Sequence, residues 1–350
     1  MHYESGFTLL YLSGLWLRTQ HHNAGIAFRY QSVTNRAEKE AIEMMGYRIP
    51  RLRILAISII TAIAVASVVA VETTPAQASE PKILKLLWSD EFNGKKGKLP
   101  SSSNWGYDIG NGYGWGNAEV EYYTNKPANV STVGKGKLVI SANRISDAQG
   151  NAVDMSASAT QILNSCWECQ FTSAKLKTAN KLKFKYGRIE ARMKVAPGEG
   201  TWPAFWMLGD DLLDGNPWPE CGEIDIVETR GVEPFLVSAV LHGPGYGKGP
   251  GVGGSYQSPT AISDAYHVFA IEWKKNKIDF YFDDRLISSE TPASVKPGRW
   301  VFNQDFFLIL NLAMGGEFGG SIDPAITQTK LFVDYIRYYS IDGVGKLTKQ

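Results

Sequence analysis

The run Glu223-Ile224-Asp225-Ile226-Val227-Glu228 sets three acids within six residues, separated by β-branched apolar side chains. On a regular strand side chains alternate, so Glu223 and Asp225 share one face and Glu228 takes the other. A β-bulge at Val227 or a neighbour would slip the register by one and bring Glu228 round to join them. Three carboxylates on one face repel, so at least one keeps its proton near neutrality while another is ionised. That division suits glycoside hydrolysis, in which a carboxylate attacks the anomeric carbon and a carboxylic acid protonates the departing oxygen. The bulged spacing would set the two Glu roughly 5–5.5 Å apart, the separation that gives retention of configuration. Two other uses of these acids stay open: a solvated strand face, and oxygen ligands for Ca²⁺. Trp218, Gly222 and Gly231 flank the run on both sides, which a merely solvated face does not call for.

The elements that must position these acids read as strands. KLVIS (137–141), YGRIEARMKV (186–195), HVFAIEW (267–273), KIDFYFD (277–283), FFLILNLA (306–313) and LFVDYIRYY (331–339) recur between Gly, Pro, Asn and Asp clusters. Such spacing, with no long helical period after residue 78, predicts an all-β sandwich or barrel. In KIDFYFD, Ile278, Phe280 and Phe282 alternate with Asp279, Tyr281 and Asp283, one face packed and one wetter. In FFLILNLA a lone Asn311 interrupts an apolar run; a buried amide there either bridges backbone or faces a polar cleft. Alternation places Trp202 and Trp206 on one face of WPAFWMLG (202–209) and Phe205 on the other.

Composition narrows the class further. The 350 residues carry 36 Lys+Arg against 35 Asp+Glu, a formal charge of +1, with no basic excess for nucleic acid. Aromatics at 12% and hydrophobics at 44% exclude a disordered chain. Ten Trp also occur, a residue type that lines sugar clefts as well as cores. Residues 54–71 hold no charge, Arg48, Arg51 and Arg53 precede them, and Ala76-Gln77-Ala78 follows. That is the layout of a secretory signal peptide starting at Met44 or Met45, or of an uncleaved membrane anchor. The expected organisation is therefore an over-called start or extension at 1–43, a signal at 44–78, one domain over 83–341 and a frayed tail at 342–350. The expected product is secreted, without stable membrane association once the signal is cleaved.

Six motifs carry a resemblance: WSDEFNG (88–94), GWGNAEVEYYT (114–124), WPAFWMLG (202–209), WPECGEIDIVE (218–228), LHGPGY (241–246) and VDYIRYY (333–339). In this order they resemble glycoside hydrolase family 16, in particular its laminarinase-type endo-β-1,3-glucanases. The resemblance implies a β-jelly-roll of two curved antiparallel sheets with a sugar cleft on the concave one, acting as a monomer on β-1,3-glucan. It implies Glu223 as nucleophile, Glu228 as acid/base and Asp225 as the middle acid that tunes the pair. Trp206, Trp218 and Asn117 match sugar contacts, with Arg188, His242 and Asn311 as second-tier matches. Glu91, Asp334 and a carbonyl at Gly136 resemble a structural Ca²⁺ site; no cofactor is expected for catalysis.

The chain departs from that pattern at Phe318, where many relatives have Trp, and at Val240, where Thr is usual. Cys166 and Cys169 in CWEC, with Cys221, allow one disulfide whose pairing the sequence leaves open. GPGVGG (249–254) matches a dinucleotide fingerprint by letter but lacks the following helix, and reads as a glycine-rich loop beside the cleft. Competing readings are a mixed-linkage β-1,3-1,4-glucanase, a marine galactan hydrolase of the agar or carrageenan type, and a non-catalytic glucan-binding module. The module would have lost one of the two Glu; both are present.

Overall fold

The computed structural model describes residues 82–350, so the expected extension and signal, 1–43 and 44–78, lie outside the described residues. Two sheets pack face to face, as the strand spacing predicts. One, of ten strands, runs in the order Arg285–Glu290, Lys277–Phe282, His267–Lys274, Gly187–Lys194, Gln328–Ile341, Leu138–Arg144, Phe171–Ser173 and Glu121–Tyr123. Leu84–Asp90 joins it on Gln328–Ile341, and Val130–Thr132 on Leu138–Arg144. The other, of nine strands, runs Val252–Gln257, Leu236–His242, Glu223–Glu228, Thr201–Gly209, Phe306–Met314, Lys175–Lys177 and Gly106–Asp108. The acid-bearing strand thus sits inside the sheet, paired on both edges.

The alternation explains the layers. Ile278, Phe280 and Phe282 turn into the core, as do Phe306, Leu308, Leu310 and Leu312. Each such side chain removes enough apolar area from water to contribute about 1.5–3 kcal/mol. The odd members of the latter strand face away: Phe307 and Ile309 form a second apolar group with Ala179, against which Trp206 and Leu208 pack. Asn311 lies two residues further along that same outer face. Apart from Asn311 the run is apolar because both faces of this strand are covered.

Three local features differ from the sequence expectations or complete them. A short helix, Ala157–Ser165, is capped by the Ser156 hydroxyl, which accepts from the Ala159 N–H at 3.2 Å. Cys166 and Cys169 form the disulfide, and Cys221 is a buried free thiol. Residues 252–257 of the glycine-rich stretch form an edge strand instead of a loop over the cleft. Among the described residues no helix is long and apolar enough to cross a membrane.

The expected frayed tail at 342–350 is corrected by the structure. Lys346–Lys349 forms a strand antiparallel to Leu182–Lys185, with Leu347 opposite Phe184 and packed on the core. Four residues suffice because the partner edge would otherwise be open and Phe184 has apolar surface to share. Removing residues 345–350 is therefore expected to cost about 1–2 kcal/mol and to lower Tm by roughly 2–8 °C. Thermal melts of the full and shortened chains check this; equal Tm values would mean the added strand contributes nothing.

Candidate active site

The bulge that the acid spacing asks for is present. Against the neighbouring strand Asp225 pairs with Val240 and Glu228 with Ser238, so Ile226 and Val227 together oppose one residue. On the other edge Val227 faces Phe205 and Asp225 faces Trp206, which skips Ile226. Ile226 and Val227 are both buried in the core, and that double insertion turns Glu228 onto the outer face beside Glu223 and Asp225.

Burial and mutual charge then separate the three acids. Asp225 is 3% exposed and pushed far above the carboxylate range, first by burial and then by the charges of Glu223 and Glu228. Glu228 is raised to about 7, again by burial first, then by Glu223, with Glu119 adding to it. The Trp202 indole N–H donates to Glu228 at 3.0 Å and opposes the rise, because it favours the ionised form. Trp218 donates its indole N–H to Glu223, and its ring lies near that of His242. His242 Nε2 stands 3.6 Å from Asp225, while its Nδ1 meets the Gly247 carbonyl at 3.1 Å, so the ring is oriented from both sides.

A second polar network adjoins the first. Trp206 donates to the Asn311 side-chain oxygen at 2.8 Å, and the Asn311 amide donates to the Tyr123 hydroxyl at 3.1 Å. Tyr123 in turn donates to Glu119 at 3.1 Å, and Asn117 donates to the same carboxylate at 3.0 Å. Asn311 therefore serves the polar face and does not bridge backbone. Beyond Glu228 a cavity of about 170 Å³ opens, lined by Arg230, Glu233, Ser238 and Phe318 among others. Arg230 pairs with Glu233 at 2.9 Å and lies 5.1 Å from the Phe318 ring centroid.

An acid pair split in this way, with indoles on both members, is an arrangement for cleaving a glycosidic bond, and the comparisons agree. A family model described as glycosyl hydrolases family 16 matches residues 120–337. This chain belongs to that family. It is 39% identical over 265 residues to a β-glucanase of Rhodothermus marinus, covering 73% of this chain and 85% of that one. Among solved structures, the endo-β-1,3-glucanase from Pyrococcus furiosus superposes with a TM-score of 0.64 at 37% identity, covering 74% of this chain and 95% of that one. The laminarinase catalytic domain from Thermotoga maritima gives 0.63 at 36% identity, over 73% and 98%.

Of the residues singled out in the sequence of this family 16 chain, Glu223, Asp225, Glu228, Trp218 and His242 are brought together, and Asn117, Trp206 and Asn311 join the adjoining network. Arg188 is not. It stands in the ten-stranded sheet, ion-paired with Glu190 and Asp284 at 2.8 Å each and with Glu272 at 3.5 Å. Its side chain follows Gly187, one position off the core-facing Ile189, and so points away from the other sheet altogether. At the expected Ca²⁺ place, Glu91 and Gly136 do meet: a Cβ on Gly136 would lie 3.2 Å from the Glu91 carbonyl and 3.2 Å from Asn93 Oδ1. The carboxylates are otherwise engaged, Glu91 by Arg337 in a bidentate pair and Asp334 by Arg192. A cation there would draw on the carbonyl oxygen and compete with Arg192 for Asp334.

Sequence reasoning passed over Glu119, Glu121, Tyr123 and Lys175. Glu121 is fully buried, accepts from the Met314 N–H at 2.7 Å, and is held well above its ordinary range by burial and by Glu119. The pattern Glu119-Val120-Glu121 inside GWGNAEVEYYT was a legible sign of two acids on one face. Lys175 gave no such sign.

The Trp202 bond yields a signed expectation. A glutamic acid serving as proton donor at position 228 would act only while protonated, so kcat/KM should then fall as pH rises through about 7. Trp202→Phe removes the donor that favours the ionised form, so this basic limb should move to higher pH. A pH–rate profile in which the limb stays or moves down would refute the coupling.

Proposed function

We propose that this chain cleaves internal β-1,3-glucosidic bonds of laminarin-type glucans with net retention. Glu223 attacks the anomeric carbon, forming a bond to C1 as the C1–oxygen bond breaks, while Glu228 gives its proton to the departing oxygen. Glu228, now a carboxylate, takes a proton from water, and the hydroxyl displaces Glu223 to release the sugar and restore both acids. Asp225, buried between the two and favouring its protonated form, can donate toward Glu223 without adding charge. The observation that carries the reading is the bulge that sets Glu228 beside Glu223, with Glu228 raised to about 7. The basic, uncharged and small-residue segments at 48–78 support export of the product.

Glu223→Gln should lower turnover on laminarin by at least about 10³-fold while leaving Tm and glucan binding close to wild type. Glu228→Gln should lose laminarin cleavage yet keep the first step on an aryl laminaribioside, whose leaving group needs no proton, giving a burst of released aryl alcohol before the glycosyl-enzyme stalls for want of a base. NMR of the first-formed product should show the β-anomer. Near-native laminarin hydrolysis by the Glu223→Gln protein, or an α-product, would end this reading. Chromatography of products from laminarin, lichenan and agarose side by side fixes the linkage.

The cavity beyond Glu228 favours one further property. Phe318 offers an apolar wall and Arg230, Glu233 and Ser238 offer hydrogen bonds, the mixture a sugar ring takes. A sugar lodged there can receive the glycosyl group in place of water. Phe318→Ala is therefore expected to cut transfer to added laminaribiose several-fold relative to hydrolysis, with little change on an aryl laminaribioside. An unchanged ratio of transfer to hydrolysis would remove the cavity from this role.

A further inference from the structure

Lys175 lies on the outer face, one strand in from the Gly106–Asp108 edge of its sheet, and has no part in the proton transfers above. Its residue is 9% exposed, and its strand pairs with Phe306–Met314 so that it sits opposite Asn311. The Lys175 ammonium is 4.5 Å from the Trp115 ring centroid and 4.9 Å from that of Trp206. Its one ion pair, to Asp108, is long at 3.9 Å, and Asp108 is already held more closely by Lys177. The carboxylates of Glu119, Glu121 and Glu223 also act on it and offset part of the cost of burying the charge.

Trp115 shows why the cation matters. Its indole N–H is buried with no hydrogen-bond partner, and its backbone has φ +53° in the left-handed region. A Cβ on Gly112 would come within 2.4 Å of the ring, so the loop is shaped around this indole. With no hydrogen bond to hold it, the ring is located by the Tyr123 ring at 5.5 Å and by Lys175. Trp206, by contrast, has both the Asn311 bond and Lys175.

We propose that Lys175 is a positioning residue: its ammonium, seated between the Trp115 and Trp206 indoles, fixes the aromatic wall beside Glu223. This rests on the reading of Glu223 as nucleophile. The groups that face Glu223 besides Lys175 are Asp225 and Glu228 on its own strand, the indole N–H of Trp218, and His242 on the next strand. Those that face Lys175 are Asp108, Glu119, Glu121 and Glu223. No other cation is recorded against the indoles of Trp115 and Trp206 among the described residues.

Lys175→Met keeps the volume and removes the charge. It should lower kcat/KM on laminarin about tenfold, through KM more than kcat. Intrinsic tryptophan emission should change as well, since two indoles lose the cation at their faces. Lys175→Arg should recover KM and the emission. Should Lys175→Met fail to fold, Trp115→Leu, which opens one side of the lysine's seat, must raise KM and leave a residual emission change on Trp206. A Lys175→Met protein that folds with wild-type KM and emission overturns the proposal, and so does a folded Trp115→Leu protein with unchanged KM. A wild-type chain inert on laminarin would defeat the functional reading alone, because the emission test needs no turnover.

Discussion

Two apolar residues inserted against one, Ile226 and Val227 opposite the single gap between Val240 and Ser238, set the terms for the rest of the molecule. Both side chains go into the core, where burial repays the broken ladder. The consequence on the other face is that three acids converge where a regular strand would hold two. Such a face is expensive. For Glu228, raised by burial and by Glu223 to about 7, ionisation is far harder than for a free glutamate.

The surrounding structure can be understood as the means by which that cost is distributed. Asp225 is buried and driven toward the neutral form, so it separates Glu223 from Glu228 without a third negative charge. Indole N–H groups, one on each outer acid, provide donors that are rigid and bring no charge of their own. One of these indoles, Trp202, comes from a strand that pairs at long sequence separation, and the other, Trp218, from the turn before the acid strand. Thr201–Gly209 joins Phe306–Met314 over its whole length, which makes one continuous platform from residues about a hundred positions apart. The Tyr123, Asn311 and Glu119 chain then ties the platform to the glycine-rich loop bearing Trp115.

The fold was largely legible because alternation and turn residues are local. KIDFYFD read correctly, down to the face on which Phe280 falls, whereas for Asn311 the contact with Trp206 decided between a backbone bridge and the polar face. The acid strand and its bulge were legible for a stronger reason: only a bulge lets three acids at those spacings share a face. Arg188 was misplaced because it sits in a motif that also supplies core residues, and a motif does not say which sheet receives it. The tail was misread because Lys346–Lys349 has no periodicity of note and becomes a strand only when Phe184 and its edge are available.

By itself, then, the sequence determined the class of fold, the acid strand and the bulge that its three acids need to share a face. These follow from side-chain alternation and charge, which act within a few residues. Tertiary structure decided which acid bears the raised pKa, where Arg188 goes, how the cysteines pair and that Lys175 meets Trp115 and Trp206. Each of these depends on burial or on contact between strands far apart in the chain, and neither quantity is written in any one segment.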